Sequence, residues 1–180
     1  MADRTSQQPG DPASVIAQQY NIELAMCDIL ERIADSLPDD VHPPLAAAAA
    51  RSITIELTVH QRDQEEVLFP LLLARCSSED RAADLIDLLT SEHATDAGFA
   101  AEVIEALQLL GTGRHIDNAN MLGYMLRGFF QCYRRHLNWE QAVLLPLARQ
   151  RLSSDDMAMV AQQIGKQRRQ LQLMHSLGVG

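Results

Sequence analysis

The chain predicts an all-α fold, an up-down-up-down four-helix bundle with a short fifth C-terminal helix, and three observations carry that expectation. Apolar residues recur at three- and four-residue spacing over long stretches, as an inward helix face requires. Proline, glycine and capping residues interrupt those stretches at only a few places. Histidines and carboxylates fall in register with the apolar stripes, where an unpaired imidazole or carboxylate is costly to bury.

Residues 1–12 are polar, contain Pro9, Gly10 and Pro12, and read as a disordered tail. The first helix runs from about Pro12 or Ala13 to Ser36, ended by Pro38-Asp39-Asp40, with Ile16, Tyr20, Leu24 (or Glu23), Cys27, Leu30 and Ala34 on its stripe. The second starts at Pro43-Pro44, where proline suits a first turn, and continues to about Arg75. Its stripe is Ile53, Leu57, His60, Gln64, Val67 and Leu71. The third opens on the cap signature Ser77-Ser78-Glu79-Asp80 and stops before Gly111-Thr112-Gly113. It carries Leu85, Leu89, His93, Asp96, Phe99 and Val103 inward. The fourth spans about Ile116 to Arg151 and presents Met125, Phe129, Cys132, His136, Glu140, Val143 and Leu147. A short fifth helix begins at the second cap signature, Ser153-Ser154-Asp155-Asp156, and fades near Gly178. The organisation expected is thus a tail over 1–12, a bundle over 13–151, and a short helix with its tail over 152–180. Helices of about 25–35 residues would each be about 40–50 Å long, and short loops favour antiparallel neighbours.

The formal net charge of −9 sets the global field against nucleic acid and anionic membranes. No apolar run approaches the roughly 18 residues of a membrane span, and the N-terminus lacks a signal-peptide pattern. Three cysteines (Cys27, Cys76, Cys132) without a Cys-x-x-Cys pair argue for a reducing, cytoplasmic compartment and against a structural zinc site. Cys27 and Cys132 sit on apolar stripes as small hydrophobes.

The most informative feature is a phrase of eleven residues that occurs twice. His60-Gln-Arg-Asp-Gln-Glu-Glu-Val-Leu-Phe-Pro70 is echoed by His136-Leu-Asn-Trp-Glu-Gln-Ala-Val-Leu-Leu-Pro146, and an arginine follows each at the same distance (Arg75, Arg151). Four residues along a helix rotate by about 40° net, so His136 and Glu140 share a face and reach one centre. Imidazole with carboxylate suits iron, manganese or zinc, whereas calcium and magnesium want oxygen. In the first copy the matching position is Gln64, a poor ligand; Glu65, Glu66 and Glu56 are the nearby acids, and Glu65 is the favoured carboxylate. His42, His115 and His175 fall outside the register and read as surface residues. Pro70 and Pro146 each remove a helical hydrogen bond just beyond the candidate ligands, either kinking the helix or marking its approaching end.

These residues carry a resemblance. Over about residues 13–150 the chain resembles a hemerythrin-like, or HHE cation-binding, domain, through Glu-Glu-Val-Leu-Phe-Pro70, Ser-Glu-His93 and His136-x-x-x-Glu140. The resemblance implies a non-heme, diiron centre in a four-helix bundle that handles O2, NO or peroxide, or supplies iron, with manganese or zinc ranking lower as the metal. It implies a metal set of His60, Glu65, His93, His136 and Glu140, with Tyr20 standing where the family has a helix-one histidine. A phenolate can ligate ferric iron; a packed tyrosine with a hydrogen-bonded hydroxyl is the other reading of Tyr20. Ala97 stands where oxygen carriers place a second histidine on helix three, which argues against reversible O2 transport.

Three function classes follow. One is a protein acting on a small diatomic or peroxide ligand, one is an iron-storing or iron-donating module, and one is a metal-free helical scaffold. A ferritin-like site is disfavoured because there the glutamate precedes the histidine. Nothing supports a nucleophilic hydrolase. No nucleic acid or membrane partner is expected, and the sequence names no protein partner.

Overall fold

A computed structural model of the chain describes residues 12–114 and 116–176, without the side chains of 12, 13, 168 and 171–176. The tail expected over 1–12 lies, apart from Pro12, outside the described residues. Among those residues the secondary structure is helical, with no strand: α1 (Pro12–Ser36), α2 (Pro43–Asp63), α3 (Phe69–Arg75), α4 (Ala82–Gly111), α5 (Ala119–Ala142), α6 (Leu144–Arg151) and α7 (Ser154–Ser176). A five-residue π-helical turn, Gln64–Leu68, joins α2 to α3 without a loop. Val143 alone, at φ −122° and ψ −57°, separates α5 from α6. The seven helices therefore make five rods.

α1 packs against α2 and α5, and α4 packs against the same two, so four rods close around one core. α7 lies against α1 and α2. It is 23 residues long, not the short appendage expected, and Met157, Val160 and Ile164 join the main core. Close approach of α2 and α4 depends on small residues. A Cβ on Gly111 would come within 2.8 Å of the Ala47 Cβ and 3.0 Å of its Cα, where only glycine fits.

Two helix starts differ from expectation. The Ser77–Asp80 cap is spent on a 3-10 turn, where Asp80 Oδ2 accepts from the Ser77 N–H at 2.7 Å and its hydroxyl at 3.0 Å. Arg81 then takes a left-handed conformation (φ 50°) that redirects the chain into α4. α5 begins at Ala119 because Asn118 Oδ1 accepts the Met121 N–H at 2.9 Å and so acts as the cap.

The prolines shift the core stripe, and neither ends its rod. In α2 the expected sequence Gln64, Val67, Leu71 is replaced by Gln64, Leu68, Leu72, with Leu68 and Leu72 fully buried. A π turn takes up one residue more than an α turn, so the next residue along faces the core. Here the Phe69 N–H bonds to the Gln64 carbonyl, an i−5 pairing, immediately before the proline that cannot donate. The same displacement occurs in α5–α6: Val143 is exposed, while Leu144 and Ala148 are fully buried.

The repeat extends past the prolines and ties the rods together. Arg75 donates from Nε and Nη2 to Asp156 at 3.0 Å each, and Arg151 donates to Asp80 at 3.0 and 2.6 Å. Asp80 and Asp156 are the capping residues that follow the two copies; Asp156 also accepts from the Ser153 N–H and hydroxyl. Each copy thus ends in an arginine held by the cap of the other.

Candidate metal centre

His60 on α2, His93 on α4, and His136 with Glu140 on α5 meet in the bundle interior, each no more than 4 % exposed. The imidazole centroids form a near-equilateral triangle of 5.4, 5.7 and 5.3 Å. The Glu140 carboxylate sits inside it. Its Oε2 lies 3.3 Å from His60 Nε2, and its Oε1 lies 3.0 Å from His136 Nε2 and 3.7 Å from His93 Nε2. One ligating atom from each of the four residues falls within 4.8 Å of the others.

The far nitrogen of each imidazole meets an outer carboxylate. Glu23 Oε2 is 3.1 Å from His60 Nδ1, Glu65 Oε1 is 2.8 Å from His93 Nδ1, and Glu92 Oε2 is 2.9 Å from His136 Nδ1. A proton on each Nδ1, donated outward, leaves Nε2 with its lone pair turned to the centre. Despite the short separations, His93 Nε2, His136 Nε2 and both Glu140 oxygens are buried without an aligned hydrogen bond. They converge on a common point rather than on one another. Leaving such atoms unpaired costs about 1–3 kcal/mol each, more where charge is involved. A single cation would satisfy all four, so the donor set fits a metal.

Electrostatics lead to the same picture. Burial lowers the His60 imidazole, but the carboxylates of Glu23 and Glu140 outweigh it and hold the group well above its ordinary value. Burial likewise raises Glu140, and the surrounding histidines, led by His60, reverse this and hold the carboxyl well below the usual range. His136 is raised, its burial outweighed by contact with Glu140. The buried carboxylate and the imidazoles of His60 and His136 thus favour each other's charged forms.

The remaining candidates divide by position. Tyr20 is 1 % exposed, its ring centroid 6.2 Å from that of His60; burial, then the charges of Glu140 and Glu23, push its phenol well above its ordinary value. Gln64 is buried, its amide nitrogen 3.2 Å from His60 Nε2, in the place that Glu140 occupies relative to His136. Glu65 is 41 % exposed and stands behind His93, not among the four converging donors. Glu56 accepts from Gln19 at 3.3 Å on the α1 side. His42 is exposed at the start of α2; His115 lies outside the described residues, as does the side chain of His175.

Three residues beside the centre carry only weak signals in the sequence. Glu23 shared a stripe position with Leu24; it is the one fully buried, accepting from Gln19 at 2.6 Å and from the Tyr133 hydroxyl at 3.4 Å. Glu92 had a signal in its adjacency to His93, but that neighbour spacing hid a contact with His136 on another helix. Tyr133, one turn before His136, stacks on that imidazole at 6.0 Å and 9°. Beside the cluster, a cavity of about 20 Å³ is lined by Gln19, Tyr20, His60, Asp63 and Gln64, with Val160 and Ile164 of α7 closing one side. Cys27 is fully buried near the site, its thiol pushed up to about 12 by burial, as suits a packing residue.

The family model of the hemerythrin HHE cation binding domain matches residues 15–148. No curated protein and no solved structure matches the chain.

Proposed function

The chain belongs to the hemerythrin HHE cation-binding domain family, and from that premise we propose that it binds non-heme iron through His60, His93, His136 and Glu140 and uses it to handle O2, NO or peroxide. The observation that carries this reading is the convergence of four buried donors, among which His93 Nε2, His136 Nε2 and both Glu140 oxygens lack hydrogen bonds, with each imidazole backed by an outer carboxylate. Manganese or zinc would suit the same donors less selectively.

When bound, such a metal supplies a Lewis-acidic, redox-active centre for a small oxygen- or nitrogen-containing ligand. The protein's own part is positional. Glu23, Glu65 and Glu92 fix the tautomers of the three histidines, and Glu140 provides the charge that favours a cation over a neutral guest. The apolar ring of Ile16, Leu68, Val160 and Ile164 limits water around His60 and Tyr20. A cavity needs about 10–15 Å³ to hold a water molecule, so the space beside His60 suits a ligand of water or diatomic size. Tyr20 and Tyr133 keep their protons in the metal-free site and offer hydroxyls rather than phenolates there.

In this reading the four long rods alternate up and down, as their short connections favour. The protein works in the cytoplasm in defence against oxidative or nitrosative stress. Among the described residues no helix is long and apolar enough to cross a membrane. Iron content and visible absorption of protein produced with iron, compared with His136→Ala, test the proposal. The variant should lose most of its metal while its helical circular dichroism stays near wild type. Equal metal in both would sink it, and metal without NO or peroxide reactivity would favour storage or donation of iron.

A further inference from the structure

We infer that this chain holds one metal ion, not a pair, with His60, His93, His136 and Glu140 as its histidine and carboxylate ligands. The inference rests on the metal-binding reading above and concerns its stoichiometry. Two-ion sites place their metals about 3.5–4 Å apart, and a catalytic ion ordinarily takes about three protein ligands of its own. Among the described residues only one group of histidine, cysteine and carboxylate donors converges, and its four atoms span no more than 4.8 Å. That is the scale of a single coordination sphere with bonds of about 2.0–2.2 Å.

The nearby acids are engaged or lie outside the converging group; Asp63, buried on the wall of the cavity beside His60, is one of the latter. Both Glu23 oxygens are taken, Oε1 by Gln19 at 2.6 Å and Oε2 by His60 Nδ1 at 3.1 Å and the Tyr133 hydroxyl at 3.4 Å. Glu65 meets the outward nitrogen of His93. Asp96 is buried one turn after His93, but its oxygens are not among the converging atoms. Gln64 puts an amide where the second copy of the repeat puts Glu140. The neutral donors fall on one side: Gln64 on the rod of α2, and Tyr20 and Gln19 on α1. The half of the bundle built by α4 and α5 retains two histidines and a carboxylate, and His60 reaches across to complete it. A second cation on the α1–α2 side would gain no new imidazole, and the Glu23 oxygens there are already held by Gln19 and His60.

The test is a metal count on the intact protein. Apo-protein is loaded anaerobically with excess ferrous iron, freed of unbound metal, and assayed for iron per chain by mass spectrometry. The ferric form is then examined by electron paramagnetic resonance. One iron per chain is expected, with the signal of an isolated high-spin ferric ion accounting for the bound metal. Titrated to saturation, Glu23→Gln should bind iron more weakly than wild type but reach the same limit of one per chain, whereas a site in which Glu23 held a second ion would fall from two to one. Two irons per chain in wild type, magnetically coupled and therefore silent, would overturn the single-ion inference while leaving iron binding intact. No retained iron would overturn both.

Discussion

The two copies of the repeated phrase occupy equivalent places on opposite rods of the bundle and yet do different work. In the second copy, Glu140 stands one turn after His136, fully buried, with both oxygens turned to the centre. In the first, the equivalent residue is Gln64, and the acids that follow, Glu65 and Glu66, lie on the solvent side. Both copies accommodate their proline by moving the core stripe along by one residue, the first through a five-residue π turn and the second through Val143 alone. The difference shows that the phrase encodes backbone geometry in both places and a carboxylate aimed at the shared centre in only one. Proline and the leucines beside it set the rotation of the helix; one residue, Gln or Glu, sets the charge at the centre.

The largest effect should come from the residue that separates the copies. Glu140→Gln gives the second copy the amide of the first, and iron affinity measured by chelator competition should fall by more than about 100-fold. That exceeds the 10–100-fold typical of losing an outer partner. Affinity unchanged in this variant would erase the functional difference between the copies.

Next in size are the outer carboxylates, one belonging to the first copy and one to α4. Glu65→Gln and Glu92→Gln should each weaken iron binding by about 10–100-fold, because each frees one imidazole to turn without removing a ligand. If Glu65→Gln abolished binding as completely as Glu140→Gln, Glu65 would count as a ligand, and the first copy would supply a carboxylate after all.

A smaller effect is expected from the converse change. Gln64→Glu gives the first copy a carboxylate beside His60, so metal-free protein should lose about 1–3 kcal/mol through burial of an extra charge. Iron should restore that loss, with an affinity gain of about tenfold. Thermal unfolding with and without iron measures both, and a variant equally stable in the two conditions would show that position 64 does not face the metal.

The smallest effect concerns the arginines that end the two copies. Hydrogen bonds from Arg75 and Ser153 hold the Asp156 carboxyl well below the usual carboxylate range, and Arg151 with Ser77 lowers Asp80. A depressed carboxylate stabilises the fold above its unfolded pKa, about 3.9, and that contribution disappears as the pH falls through the lower folded value. Arg75→Ala and Arg151→Ala should each lower the melting temperature slightly at neutral pH, less at high salt. The difference from wild type should close as the pH drops below about 4. A difference that persisted in strong acid would assign the effect to packing of the arginine stems.

The order of the rods, the inward histidines and the His136–Glu140 pair were legible in the sequence because each depends on local periodicity. A spacing of three or four residues puts side chains on one face whatever surrounds them. The duplicated phrase was legible for the same reason. Tertiary structure alone decided what lies between helices. It placed Glu23 behind His60 and Glu92 behind His136, contacts that join residues far apart in the chain. The π turn also escaped the periodicity, since a stripe read at 3.6 residues per turn cannot register an added residue, and Val67 was expected where Leu68 is buried. Sequence position kept Glu65 close to the vacant carboxylate place, but rotation about the helix carried it outward to His93. Which donors share a centre is a property of helix packing, where angles and offsets between rods bring together atoms whose separation the chain itself leaves undetermined.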